Sequence, residues 1–375
     1  MKILLTYASA GSGHLKAAQA LYSHIKENSP GIELRLTDVL GKTNPAFRFS
    51  YARGYSLMVR YSLWAWRIAF WITSFKVVHP LIKLIAGALN RLNTRSFSRF
   101  LIQENPDFII STHFLPSDIS SRLKKAKKIK SRIITIITDF GVHPYWVSGE
   151  SDIYVVASEA TKRELVLEGV PENKIKEFGM PVDAKFLKPH DRGILSRKLG
   201  IEEDKFTVLI ISGSFGLGPL DDIAESLCKD AQVLVVCANN KRIYKRLVAM
   251  RLEGVRVFGF VDNIQELMAV SDIIITKPGG LTISEAMNME LVPIFISPIP
   301  GQEEDNAQIL KGYGIGFIPQ STKEIKKIVL DLKNNPHRLE SVKENIRALK
   351  KPNALREICN VICQGSAGPC CRRPF

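Results

Sequence analysis

Three glycine-rich segments each follow an apolar run and lead into a stretch with helical spacing. They are Gly11-Ser12-Gly13-His14, Gly213-Ser214-Phe215-Gly216-Leu217-Gly218 and Lys277-Pro278-Gly279-Gly280-Leu281-Thr282. Glycine lets a backbone approach its ligand closely, and a helix start offers unpaired N–H groups and a partial positive charge. Such loops suit phosphate. None is a Walker loop, because no Gly-Lys-Ser/Thr stands at the required spacing. A dinucleotide fingerprint is also incomplete: Asp38 follows the second strand, but Lys16 stands where a third Gly or Ala belongs. His14 brings a titratable ring to the mouth of the first loop, which suits a general base, a diphosphate contact or a plain helix cap. A fourth loop, Pro300-Gly301-Gln302-Glu303-Glu304-Asp305-Asn306, is unusually polar. Its acids suit a solvated helix N-terminus, a reading that leaves Gln302 and Asn306 unexplained.

These loops need strands and helices to hold them. Residues 2–8, a helix over 15–28 and a strand over 32–36 form a β–loop–α–β opening. Strand-like runs return at 108–111, 133–138 and 154–157, with helical stretches between. The second half repeats the rhythm, with strands expected at 206–212, 233–237, 255–258, 272–276, 292–296 and 315–318. Helices are expected at 219–229, 241–252, 263–270, 281–290, 304–312 and 322–334. Strands alternating with helices predict parallel, doubly wound α/β sheets that bind ligands at the C-terminal ends of their strands. Two prolines and a glycine in 179–190 mark a linker. The expected division is a domain over 1–178, the linker 179–190, a second domain over 191–350, and a helix with a tail over 351–375.

Length and composition fit this plan. The chain has 375 residues, 45% hydrophobic and 24% charged, enough for two cores without metal or disulfide staples. Its net charge of +15 is uneven, with +13 in residues 1–150 and +2 in the remainder. No Asp or Glu occurs between Asp38 and Glu104, a stretch with ten Lys/Arg. Within 39–103 lie twelve aromatic residues, including Trp64, Trp66 and Trp71, and Arg53, Arg60 and Arg67 recur every seven residues. This is the composition of an interfacial helix on an anionic membrane, with rings at headgroup level and Arg or Lys on the lipid charges. A core with a solvated basic face, or a single-stranded nucleic acid surface, are the competing readings; no RNA-binding motif accompanies the patch. The longest uncharged runs there are too short to span a bilayer. The run Ile3 to Leu5 is likewise too short for a signal peptide, so a cytoplasmic chain is expected. Four of the six cysteines (Cys359, Cys363, Cys370, Cys371) lie near the C-terminus in no common zinc spacing and are expected as reduced thiols.

The segments GSGHLKAA, TDFGVHPYW, KPGGLTISEA and PIPGQEEDNA, in this order, resemble the glycosyltransferases that act on diacylglycerol. These comprise the processive bacterial glucosyltransferases and the monogalactosyldiacylglycerol synthases, relatives of the peptidoglycan enzyme that adds N-acetylglucosamine to lipid I. The resemblance runs from Met1 to about residue 350. It implies a GT-B fold, two Rossmann-like domains facing across a cleft, with the acceptor and membrane on the first and a UDP-sugar on the second. It further implies that Glu285 binds the ribose, backbone near Val261 meets uracil, and Gln302 and Glu303 bind the hexose. Gly213, Ser214, Lys277, Pro278, Gly279 and Gly280 would hold the diphosphate, while Gly13, His14, His143 and Trp146 would lie on the acceptor side. Arg60, Trp64, Trp66, Arg67 and Trp71 would meet the lipid.

The implied reaction is inverting transfer of a hexose from UDP-glucose or UDP-galactose to diacylglycerol, on the cytoplasmic face of a membrane rich in anionic lipid, without nucleic acid. Neither a cofactor nor a metal is expected, since no Asp-x-Asp occurs. His14 is expected as base or as orienter, and Asp139, also following a strand, is the alternative base. Transfer of N-acetylglucosamine to an undecaprenyl-linked acceptor, and a non-catalytic basic binding protein, are the other readings. One position departs from the family: Glu290 stands where it has a glycine, which puts the local backbone in doubt.

Overall fold

The apolar runs become the strands of two parallel sheets. The structure, a computed structural model, describes residues 1–51, 54, 62–74, 87, 90–211, 213 and 218–364. One unit comprises Met1–Asp183, Pro300–Gln302 and Lys351–Phe375; the other comprises Ala184–Ile299 and Glu303–Lys350.

The first unit holds β1 (Lys2–Tyr7), β2 (Glu33–Asp38), β3 (Phe108–Ser111), β4 (Arg132–Ile136), β5 (Ile153–Val155) and β6 (Ile175–Lys176). They pair in the order β2-β1-β3-β4-β5-β6, all parallel. Its helices are α1 (Ser12–Asn28), α2 (Leu63–Ser74), α3 (Arg95–Glu104), α4 (Phe114–Lys125) and α5 (Glu159–Leu167). Alternate strand residues feed two cores, as a sheet covered on both faces requires. Leu4 and Ile109 pack with Phe97 and Leu101 of α3, while Ile3, Leu5 and Ile110 pack with Leu21 and Ile25 of α1. Within 39–103, then, Phe97 and Leu101 are core, not interfacial.

The second unit holds β7 (Thr207–Ile211), β8 (Gln232–Val236), β9 (Val255–Phe258), β10 (Ile273–Thr276) and β11 (Val292–Phe295), parallel in the order β11-β10-β7-β8-β9. Helices α6 (Arg192–Leu199), α7 (Leu220–Leu227), α8 (Lys241–Met250), α9 (Ile264–Ala269), α10 (Gly280–Asn288), α11 (Gln302–Gly312), α12 (Thr322–Asn334) and α13 (Pro336–Leu349) follow. The strand expected at 315–318 is only a bridge between Ile294 and Phe317. Gly314 and Gly316 there have φ of 70° and 83°, which breaks an extended ladder. A Cβ on Gly316 would lie 2.6 Å from Phe295 Cε2, so close packing also demands glycine.

The last described helix, α14 (Ala354–Gln364), returns to the first sheet through Leu355, Ile358, Cys359 and Ile362. Burial pushes the Cys359 thiol up to about 12, so it acts as a small apolar group. Cys363 is disulfide-bonded, which corrects the expectation of reduced thiols there; Cys370 and Cys371 lie outside the described residues. Among the described residues no helix is long and apolar enough to cross a membrane.

In each sheet the strand order reverses once, between β1 and β3 and between β7 and β10. At such a switch point the loops leaving adjacent strands diverge and open a crevice. The glycine segments at 11–14, 213–218 and 277–280 follow β1, β7 and β10. The topology thus sets all three at switch points.

Glu290 keeps the backbone geometry that a glycine would take. Its φ is 57°, and α10 closes through Glu290 N–H to Met287 O (3.0 Å) and Leu291 N–H to Ala286 O (3.0 Å). That is the usual glycine stop, strained for a side-chain-bearing residue. The carboxylate meets Arg347 Nε at 2.7 Å and Lys350 Nζ at 2.7 Å. Burial works against its charge, yet the bonds from Lys350 and Arg347 hold the carboxyl below its ordinary value. A depressed carboxyl stabilises the fold above its unfolded pKa, and that contribution fades as pH falls through the folded one. Replacing Glu290 by Ala should therefore cost about 1 kcal/mol at neutral pH, with the gap to the parent closing in acid. Glu290→Gly should regain about 1 kcal/mol relative to Ala by relieving the left-handed strain. Urea unfolding of the three proteins at pH 7 and pH 3.5 checks both.

Candidate active site

In the first unit the loops after β1, β3 and β4 converge on His14. Gly11, with φ 118°, precedes α1 and turns the chain so that His14 falls in the first helical turn. His14 Nδ1 lies 2.8 Å from the Thr112 carbonyl oxygen and 2.9 Å from Thr138 Oγ1. In return Thr112 Oγ1 donates to the His14 carbonyl oxygen at 2.8 Å. A carbonyl only accepts, so Nδ1 carries the proton and Nε2 keeps its lone pair. Nε2 has no hydrogen-bond partner among the described residues, which leaves the basic atom available. Burial lowers the proton affinity of the ring below the ordinary histidine value; Asp139 and the Thr112 carbonyl oppose this only in part. A neutral His14 with a lone pair at Nε2 is in the form a general base needs.

The surrounding rings are tightly set. Trp146, 3% exposed, lies 6.3 Å from the His14 ring, and His113 lies 4.6 Å from it. His143 Nδ1 accepts from Tyr145 N–H at 3.3 Å, and its ring meets Phe70 of α2 at 4.8 Å. Asp139 is buried, and Gln302, which groups with this unit, donates from Nε2 to Asp139 Oδ2 at 2.7 Å. Gly13 opens α1 beside His14. On α2, Trp64 (70% exposed), Ile68, Trp71 and Ile72 share one open face beside exposed Arg67. Trp66 is partly buried and donates from Nε1 to the Pro300 carbonyl oxygen at 3.1 Å. Arg60 lies outside the described residues.

In the second unit the loops after β7 and β10 supply the candidate phosphate cradle. Gly213 leaves β7 with φ 60°; Ser214 lies outside the described residues. Gly279 is the residue before α10 and no side chain caps that helix, so the N–H groups of its first turn face outward from the helix end. The half-buried Lys277 ammonium is pushed below its ordinary value by desolvation, which Glu303 opposes. Glu303 Oε2 accepts from Ile299 N–H at 2.7 Å. Asn306, wholly buried, donates from Nδ2 to the Pro278 carbonyl oxygen at 3.0 Å and so pins the glycine turn to α11. Glu285 is buried on α10, and Val261 packs partly buried on the core of this unit.

Thr112, His113, Thr138 and Asn306 were not legible as site residues. Thr112 and His113 stand just past one predicted strand and Thr138 ends another, but only the pairing of β1 with β3 and of β3 with β4 brings them to His14. Asn306 had a signal, as a polar residue that a helix N-terminus does not call for.

The family pattern described as Monogalactosyldiacylglycerol (MGDG) synthase matches residues 14–182, and that of the Glycosyltransferase family 28 C-terminal domain matches 207–358. The processive diacylglycerol beta-glucosyltransferase of Bacillus mycoides (strain KBAB4) is 29% identical over 372 residues, 96% of this chain and 93% of that one. The namesake from Bacillus anthracis (strain CDC 684 / NRRL 3495) matches equally. Among solved structures, Acinetobacter baumannii MurG has a TM-score of 0.63 at 16% identity, over 97% of this chain and 99% of its own. Anabaena Alr3699/HepE, solved in complex with UDP-glucose, has a TM-score of 0.56 at 15% identity, over 97% of this chain and 100% of its own. The chain thus has an α/β fold of the GT-B class and resembles, in order along it, the monogalactosyldiacylglycerol synthase and glycosyltransferase family 28 C-terminal patterns.

Proposed function

We propose that the protein transfers a hexose from UDP-glucose or UDP-galactose to diacylglycerol, with inversion, at an anionic membrane surface. The observation that carries this reading is the His14 ring held at Nδ1 by the Thr112 carbonyl and the Thr138 hydroxyl, which leaves Nε2 as the basic atom. Relatives named diacylglycerol beta-glucosyltransferases support the substrate class. His14 Nε2 takes the proton of the acceptor hydroxyl as its oxygen attacks the anomeric carbon from the face opposite the diphosphate. The bond from that carbon to the diphosphate oxygen breaks, and UDP leaves with the electron pair. The first-turn N–H groups of α10, Lys277, Gly213, Ser214 and the glycine turn at Gly279-Gly280 stabilise the growing charge. Glu285 holds the ribose, Val261 the uracil, and Gln302 and Glu303 the hexose. This charge match needs no metal, in keeping with the absence of Asp-x-Asp. His143 and Trp146 shape the acceptor side.

Membrane association rests on α2 and the charge asymmetry. Trp64, Ile68, Trp71 and Ile72 recur at the spacing of one helix face, and exposed Arg67 lies beside them. Large apolar side chains in water cost free energy that an interface recovers, and each basic residue near an anionic leaflet adds about 1 kcal/mol. Attachment from the cytoplasmic side follows from an anionic leaflet and a soluble nucleotide sugar.

Incubating the protein with each UDP-hexose and anionic liposomes containing diacylglycerol should yield lipid-linked hexose. Turnover only on an undecaprenyl-linked peptidoglycan precursor, or binding without turnover, would overturn the proposal. His14→Ala should lower kcat about 10²- to 10⁴-fold. In the parent, kcat should fall with acid through a midpoint below the ordinary histidine value of 6.5, because burial favours the neutral ring. Should Ala at position 14 leave turnover intact while Asp139→Asn abolishes it, the base is Asp139. The double substitution Trp64→Ala, Trp71→Ala should weaken sedimentation with anionic liposomes at least about tenfold, since each buried ring stabilises by about 1.5–3 kcal/mol. Added salt should weaken it further, and binding that ignores both changes removes α2 from the interface.

A further inference from the structure

The His14 ring is held on a second side by a histidine that none of the foregoing chemistry uses. His113 immediately follows Thr112 and is 3% exposed. Its Nδ1 accepts from Leu115 N–H at 3.0 Å and so caps α4. An accepting Nδ1 has no proton, so the neutral ring carries its hydrogen on Nε2. Protonating Nδ1 would break the cap and set a cation at the positive end of the α4 dipole. The ring meets that of His14 edge-on, with centroids 4.6 Å apart and planes at 77°. Phe114 at 4.2 Å, Tyr51 at 6.2 Å and Trp146 at 6.4 Å complete its surroundings.

Resting on the reading of His14 as base, we propose that His113 is a positioning residue for the transfer reaction: locked neutral by the α4 cap, it fixes the His14 ring and keeps water from one side of it. The dipeptide Thr112-His113 then holds the base twice, by the Thr112 carbonyl at Nδ1 and by the His113 ring against its edge. The titratable groups near this pair are few. Asp139 raises the proton affinity of His14 but does not offset its burial. Tyr51 is pushed beyond its ordinary range by burial and stays neutral. His113 is lowered well below the ordinary histidine value by burial and by His14, which agrees with the locked neutral form. A second neutral imidazole thus shields the base without competing with it for a proton at neutral pH.

Two substitutions separate the ring from the cap. His113→Asn keeps an acceptor for Leu115 N–H and removes the ring, admitting water beside His14. It should lower kcat about 10- to 100-fold through loss of orientation. KM for the UDP-hexose should stay within about twofold, and the acid limb of kcat should move to higher pH. His113→Phe keeps a ring and loses the cap, so it should lower Tm but leave the acid limb near its parental position. A merely structural His113 predicts the reverse, with Tm and turnover falling together and no shift in the limb for Asn. Nitrogen-resolved NMR of labelled histidines reads the same point without turnover. His14 should be the Nδ1–H tautomer and His113 the Nε2–H tautomer, with the His14 midpoint rising in His113→Asn. An Nδ1–H tautomer at His113, or an unmoved His14 midpoint, overturns the proposal. If His14→Ala stays active while those NMR shifts hold, the base assignment fails and the ring-holding role of His113 stands.

Discussion

The first unit depends on one reciprocal clamp. His14 Nδ1 donates to the Thr112 carbonyl, and Thr112 Oγ1 donates back to the His14 carbonyl, both at 2.8 Å. These two bonds join the loop after β1 to the loop after β3, the two strands between which the sheet order reverses. Without them the loops would diverge, as they do at any switch point. With them the imidazole takes one tautomer and the first turn of α1 is tied to the loop after β3. Thr138 adds its hydroxyl from the loop after β4, so three consecutive strands of the sheet hold one ring.

Much of this plan was legible in the residues, for reasons that differ by element. Buried parallel strands such as Ile273–Thr276 read clearly, because a sheet covered on both faces permits only apolar runs. The glycine loops read clearly because their backbone needs show in composition. The order β2-β1-β3 did not, since nothing in a run such as FIIS names its partner, and with that order went Thr112, His113 and Thr138. Helix α13 went unread although Asn335 caps it, Pro336 opens it and Val342, Ile346 and Leu349 recur at the spacing of one helix face. At 315–318 the error ran the other way, with apolar residues suggesting a strand where two left-handed glycines forbid one.

Glu290 shows how a local rule can be broken while the geometry it serves is kept. A left-handed stop after α10 is disfavoured for any residue with a Cβ. The carboxylate makes up part of that cost by bonding Arg347 and Lys350 of the segment packed against it. A glycine would have been less strained there but could not have tied α10 to α13. The exchange concerns α10 because its other end carries the first-turn N–H groups proposed for the diphosphate. Fixing the C-terminal end of a nine-residue helix constrains its N-terminal end as well.

In the proposed reaction the two units would supply different chemistry, each at the switch point of its own parallel sheet. In the second unit the switch point offers an uncapped helix start and a half-buried lysine, a fixed positive field that suits a leaving anion. In the first, the corresponding crevice holds a ring kept neutral by burial and fixed in one tautomer by the Thr112 carbonyl, which suits the taking of a proton. A positive field beside the base would lower its proton affinity further, and a desolvated imidazole beside the phosphates would add little field. Placing each function on its own sheet lets each be tuned by its own burial. The basic excess of residues 1–150 does not disturb this arrangement. The exposed Arg67 stands beside the open Trp64 and Trp71 face of α2, where it can meet lipid charge, whereas the groups lining His14 are neutral rings, hydroxyls and one carboxylate.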